Sequence, residues 1–415
     1  GVVVESMCVA DGQGMRGLAY ERQKEKWSGS LLVGRIVAPQ EPTANFSGRF
    51  ATYTGGGKVS YNLRRNLKLT FDSALSKDDA FSITIDTAAN TLKARQNFVY
   101  GGTLEWKALK SVTFSSEYQM SSYRADLQAS EPAVSGSGYR HEIKYRSGLL
   151  GLRGRLSRVD PDFWSLASPA TIHDRLTYDA EAGIYPAEWV SVSAGYNRYT
   201  DNLDKVPGNT TTTQTQMSVS PTVRLFGSTM LTGSMLTNTA LGKPAAVQDN
   251  QTRTMSFSVM QPVKAHTLNA SMQTSDFKDN TGLSHNLNSS LMSFSGAFRL
   301  SPRLSFSSGL VNSDTKDKAD SSSSQSNSIT GNVTYAMPRR SLAVQLWSTV
   351  STNKNDSVSY PSDTRSMNVN FETIWLKSQS SKLTFGVGRN TVTDNLNEDN
   401  STSEYTFLTR YNYSF

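Results

Sequence analysis

The sequence predicts an all-β fold: one antiparallel, up-and-down transmembrane β-barrel of about 20 strands, within roughly 18–22. Three observations carry this. Side chains alternate between apolar and polar with period two through most of the 415 residues, the mark of strands with two different surroundings. Tight turns recur about every 40 residues, the period of a hairpin array with about 10–15 residues per strand. The connections on the other side are longer and polar, and short turns opposite longer loops are the pattern of such barrels.

Residues 1–27 stand apart. They start apolar, pass through Gly-rich sequence and become charged from Glu21 to Lys26 without sustained alternation. A short helix or irregular segment is one reading; a plug or periplasmic docking arm is the other. The barrel is expected over residues 28–415, starting with a strand in 28–39. A second strand is expected over 49–63, interrupted by Gly55, Gly56 and Gly57, which read as a bend or bulge. Arg64, Arg65 and Asn66 make a tight turn. Leu67, Leu69, Phe71 and Leu75 then alternate with Lys68, Thr70 and Asp72. The unit repeats, with turns centred at 107–110, 147–148, 186–188, 226–227, 262–265, 301–303, 338–340 and 378–381. Their Pro and Gly residues suit the backbone angles of such turns. The longer connections are expected at 129–138, 200–213, 241–251, 278–284, 315–325, 353–364 and 394–402, with no single long loop to fold inward.

Alternation holds strand by strand. Met255, Phe257 and Val259 oppose Ser256 and Ser258; Leu304, Phe306 and Leu310 oppose Ser305, Ser307 and Gly309. Through residues 250–350 the second face is mainly Ser, Thr, Asn and Gly. A soluble sandwich would show more Lys and Glu there.

Composition sets the bounds. No run approaches the ~18 apolar residues of a membrane helix, but barrel strands are half polar and a mean hydropathy of -0.44 fits them. The net charge of +7 is modest, and without a Lys/Arg block it does not imply nucleic acid. Cys8, the one cysteine, forms no internal disulfide and lacks the small apolar residues of a lipoprotein cleavage site before it. No signal peptide is read.

Aromatic residues gather beside the short turns, with Trp106, Trp189, Tyr335 and Trp375 as the anchors of an interfacial girdle. At the end of the chain Tyr405, Phe407, Tyr411, Tyr413 and Phe415 share one face. The hairpin period, the loop asymmetry and the ending Tyr411-Asn412-Tyr413-Ser414-Phe415 resemble those of Gram-negative outer-membrane β-barrels, over about residues 28–415. The resemblance implies a bacterial outer-membrane location, contact with the bilayer and lipopolysaccharide, and Tyr411, Tyr413 and Phe415 as an insertion signal read by the barrel-assembly machinery.

No catalytic constellation, metal site or cofactor is readable. His141, His173, His266 and His285 show no ligand spacing, and phosphate-cradling Gly loops, haem-attachment signals and nucleophile elbows are missing. The chain is therefore expected not to be an enzyme. The readable chemistry is an inward face that would receive Lys93, Arg95, Glu117, Glu142, Arg224, Arg299, Glu372, Arg389 and Arg410 besides a basic cluster of Lys144, Arg146, Arg153 and Arg155. That cluster either leaves a positive strip that draws anions or pairs with neighbours such as Glu142 and Glu181 and only stiffens the wall. Recurring Asp-Asn pairs in the loops suit turn chemistry, with divalent cations or lipopolysaccharide as the alternative.

Two functions are expected from this pattern. One is a porin-like channel for small polar or anionic solutes, narrowed by residues 1–27 or by a partner. The other is a sheath around a protein partner in or below the lumen, loosely similar to the barrel subunit of porin–cytochrome electron conduits. A soluble adhesin or β-helical surface protein is the distant third.

Overall fold

The computed structural model describes residues 16–42, 47–84, 92–168, 170–338, 341–358, 361–376 and 381–413. Among them are 21 β-strands in one sheet and two short 3-10 turns. The number lies inside the expected range but is odd.

Strands β1 (Arg16–Gln23), β2 (Trp27–Val37), β3 (Ala51–Arg64), β4 (Leu67–Asp79), β5 (Gln96–Leu109), β6 (Val112–Arg124), β7 (Val134–Arg146), β8 (Leu150–Val159) and β9 (Arg175–Ala187) form a meander, each antiparallel to the next. After β10 (Val190–Asp201), β11 (Thr211–Arg224) and β12 (Met230–Lys243), a second meander comprises β13 (Asp249–Val263), β14 (His266–Asp279), β15 (Leu287–Arg299), β16 (Leu304–Asp317), β17 (Ser323–Met337), β18 (Leu342–Asn355), β19 (Ser362–Leu376), β20 (Ser381–Asp394) and β21 (Thr402–Tyr413). The chain divides into two compact units. The first holds 1–184 with 195–216 and 241–247, the second 185–194, 217–240 and 248–415.

Connections alternate in length along the chain, from two residues at 65–66, 110–111 and 264–265 to as many as 16 at 80–95. The long connections at 38–50, 80–95 and 160–174 in the first unit correct the expectation that no single long loop stands out to fold inward. Elsewhere strands run one to five residues into the expected loops, because ladder hydrogen bonds continue wherever both backbones stay extended.

The N-terminal boundary also needs correcting. Arg16–Gln23 is strand, not plug or arm, and pairs with β2 through Leu18↔Val33 and Tyr20↔Leu31. Its apolar partners are alternate residues, which period two places on one face. Residues 1–15, with Cys8, lie outside the described residues. Gly55, Gly56 and Gly57 make no bulge: their pairing with Leu75, Ala74 and Ser73 is in continuous register. The shifts fall instead at Arg35/Val37 and Asn62/Arg64. A Cβ on Gly56 would lie 2.7 Å from the Ser73 carbonyl oxygen, so close strand approach accounts for that glycine.

One face of each meander is apolar and exposed. It carries Leu31, Val59, Phe71, Tyr100 and Tyr118 in the first unit, and Phe257, Met272, Phe294, Leu310, Ile329 and Phe371 in the second. An apolar expanse this continuous marks a membrane or partner surface, and in transmembrane barrels it is the lipid-facing band. Trp106, Trp189, Tyr335 and Trp375 are exposed beside short connections. Tyr411 lies on the apolar face opposite Leu383. Phe415 lies outside the described residues, as does the Tyr413 side chain.

Candidate functional site: a packed polar wall

In the first unit the polar face is the buried one. On β3 and β4, Thr52 Oγ1 donates to Asp78 at 2.7 Å, and the Thr54 and Ser76 hydroxyls lie 2.8 Å apart. Cross-strand register places each pair directly opposite, where short hydroxyl side chains meet. Arg95 Nε donates to Asp78 Oδ2 at 2.9 Å, and the Asp78 side chain is almost wholly buried. Burial works against the Arg95 cation, but the Asp78 contacts prevail and raise its pKa.

The connection 160–174 covers this wall. Phe163 is buried against Ala74, Val99, Val159 and Ala167. Burying a phenylalanine ring contributes about 1.5–3 kcal/mol. Asn97, also buried, grips the connection at two points. Its Nδ2 donates to the Trp164 carbonyl at 2.8 Å, and the Leu166 amide donates to its Oδ1 at 3.1 Å. That side-chain amide thus stands in for a strand neighbour and satisfies backbone groups that would otherwise be buried unpaired. The Trp164 amide donates to Ser121 Oγ at 3.1 Å, and the Trp164 ring stacks on Tyr123 with centroids 5.1 Å apart. At the base, Ser137 Oγ donates to Asp160 Oδ2 at 2.5 Å.

Gly136 on β7 makes room for this. A Cβ there would lie 2.3 Å from both the Asp162 carbonyl carbon and the Phe163 nitrogen. The backbone of the connection therefore occupies the space a side chain would need. A second cluster, Phe50, Ile83 and Ala94 with Ala80, Leu92 and Leu127, closes over the long-connection ends of these strands.

Beside the covered region runs a charge ladder. Register sets Glu117 opposite Arg140, Glu142 opposite Arg155, Lys144 opposite Arg153, and the two arginines opposite Asp179 and Glu181. Arg153 bonds Glu181 and Arg155 bonds Asp179, each at 2.6 Å; Lys144 lies 2.5 Å from Glu142, and Arg140 lies 3.8 Å from Glu117. The basic cluster thus shares one wall, with carboxylates set into it. Arg146 is exposed and has no ion pair among the described residues. Across β6–β9 this face carries six cations (Arg140, Lys144, Arg146, Arg153, Arg155, Arg175) and four carboxylates (Glu117, Glu142, Asp179, Glu181). It keeps an excess of positive charge.

The other expected inward charges scatter. Lys93 and Arg95 are not on a strand: they lie in the connection that leads into β5. Lys93 reaches Asp126 at 3.0 Å in the connection between β6 and β7. Arg224 and Arg299 end β11 and β15, Glu372 lies opposite Gln345, and Arg410 opposite Thr384. Arg389 sits on the apolar face, paired with Val369 and Tyr405. The alternation of β20 is led by Phe385 and Val387, and Arg389 falls in phase with them.

The loop Asp and Asn residues cap backbone. Asp279 accepts from the amides of Thr281 and Ser284, Asp394 from those of Leu396 and Asn397, and Asn202 from that of Val206. Among the described residues no group of three or more His, Cys, Asp or Glu is gathered as a metal site.

In the connection 280–286, His285 Nδ1 lies 2.5 Å from Asp317 Oδ2. The hydrogen bond to Asp317, then its charge, raise the imidazole pKa. A raised folded-state value means the tether is complete below the ordinary imidazole range and is lost as pH rises through the raised value. Hydrogen exchange of residues 280–286 is expected to quicken, beyond the intrinsic base-catalysed rate, as pH rises above the ordinary imidazole range of about 6–7. His285→Ala is expected to remove that excess; an unchanged excess in the variant would refute the tether.

No protein-family model matches the chain, and no curated protein matches it in sequence. Solved structures do. The copper transporter OprC is similar at TM-score 0.52 and 10% identity, over 97% of this chain and 78% of that one. The siderophore receptor PirA from Pseudomonas aeruginosa matches at TM-score 0.48 and 12% identity, over 95% and 75%. The outer membrane protein OpdK from Pseudomonas aeruginosa matches at 0.37 and 9%, over 77% and 93%. Identities this low speak to fold, and the likeness to OprC carries that statement: this chain has the fold of the bacterial outer-membrane β-barrels.

Proposed function

We propose that the chain is a non-enzymatic outer-membrane channel for small polar solutes, with a preference for anions, narrowed from within by residues 160–168. One observation carries the reading. The connection after β8 is seated on the polar face, with Phe163 buried and Asn97 bonded to its backbone at two points. In this fold the polar face turns to the lumen, so a segment fixed there takes up channel cross-section. A wide barrel with a filled sector passes small solutes without leaking large ones. The cationic excess of β6–β9 supports anion preference, because a low-dielectric wall focuses its field into the path.

Recording the purified full chain in planar bilayers tests this. Discrete conductance steps are expected, with a reversal potential in a KCl gradient that favours chloride. A chain that never conducts but purifies with a stoichiometric protein partner would overturn the channel in favour of a sheath around that partner.

A further inference from the structure

Two cations interrupt the apolar face of the second unit. On β19 and β20 that face carries Met367, Val369 and Phe371 beside Phe385 and Val387. Arg365 and Arg389 share it, opposite Thr393 and Val369. Arg365 is the fourth residue of β19, and Arg389 the ninth of fourteen in β20. Both therefore lie toward the long-connection end of their strands. With Met367, Val369, Thr391 and Thr393 they line a cavity of about 280 Å³.

Neither guanidinium has a carboxylate partner among the described residues. Arg389 lies over the Tyr405 ring at 5.5 Å. Asp363, two positions before Arg365, is engaged by the Asn395 amide at 2.8 Å and stands opposite Lys354. A lipid-facing arginine is costly near the bilayer midplane and tolerated near the interface. Two that converge on one cavity call for an anion, and a guanidinium matches phosphate oxygens in geometry as well as charge.

We propose that Arg365 and Arg389 bind a phosphate of an outer-leaflet lipid, an acylated and phosphorylated saccharide of the lipopolysaccharide type. The mixed lining favours an amphiphile over a free anion: Met367 and Val369 offer apolar surface to an acyl chain, while the arginines and threonines take the headgroup. The inference rests on the membrane fold and not on the solute the channel passes.

Native mass spectrometry of the full chain in detergent tests it with three probes: lipid A, dephosphorylated lipid A and inorganic phosphate. The wild type is expected to retain lipid A about tenfold better than R365Q/R389Q, the effect of losing two exposed charge-assisted contacts. Dephosphorylated lipid A is expected to bind both equally weakly, and inorganic phosphate to displace nothing. Equal retention of lipid A by variant and wild type would overturn the proposal. So would displacement by inorganic phosphate, which would make this a free-anion site. Should the double variant fail to assemble, R365Q and R389Q are compared singly, each expected to lose about threefold; no loss in either overturns the proposal equally.

Discussion

Gly136→Val should raise single-channel conductance severalfold while leaving the barrel assembled. The added branch has no space: even a Cβ would stand 2.3 Å from the backbone of Asp162 and Phe163. Gly136 is held in register with Ser121 on β6, and β7 is paired on both sides from Gly138 onward, so the sheet is the stiffer of the two partners. The covering connection must move instead. Phe163 then loses burial against Val99 and Ala74, about 1.5–3 kcal/mol, and Asn97 loses its two contacts to the connection and keeps only the 3.4 Å one to the Ser122 carbonyl. The Asn97 Oδ1, left without the Leu166 amide, adds about 1–3 kcal/mol, so displacement of the whole stretch follows. Gly148→Ala is the control, because a Cβ there meets nothing within 4 Å. Hydrogen exchange over 160–168 should rise in step with conductance. Faster exchange at constant conductance would show that the connection does not narrow the solute path.

Changing Arg153 and Arg155 together to Glu should reverse the ion preference. On β6–β9 six cations face four carboxylates, and the double change leaves four against six. Selectivity follows the sign of that excess, so the reversal potential in a KCl gradient should move from the chloride side to the potassium side. Stability falls as well. Asp179, nearly buried, loses its 2.6 Å partner, and carboxylates then face one another across the strands. The combined cost is about 1–3 kcal/mol. The neutral pair Arg153→Gln and Arg155→Gln separates the two effects: it should bring selectivity near zero with a smaller loss of stability. Unchanged selectivity in both variants would confine these arginines to bracing the wall.

Period two and turn spacing made the fold legible. Alternation such as that of Met255, Phe257 and Val259 with Ser256 and Ser258 states which side of a strand is wet, and the register confirms it, with Phe257 opposite Met272 and Ser258 opposite Ser271. The shared wall of Lys144, Arg146, Arg153 and Arg155 was legible too, because hairpin partners joined by a short turn have almost no freedom of register. β1 was less so. Leu18 and Tyr20 give only two alternating apolar positions before the charged run from Glu21, too few to declare a strand without its neighbour β2.

What the tertiary structure decided was where the irregular parts go and how the charges are shared. Residues 160–168 carry no period, and Pro161, Asp160 and Asp162 announce only that a strand has ended. Their seat depends on Asn97, Ser121 and Gly136, which are 67, 43 and 26 positions from the residues they meet. The partnering of Arg153 with Glu181 likewise required knowing that β8 pairs with β9 across a 15-residue connection. Strand identity is a local property, written in the spacing of apolar residues. Constriction and charge pairing are contacts between distant segments, and those exist only once the sheet has fixed its register.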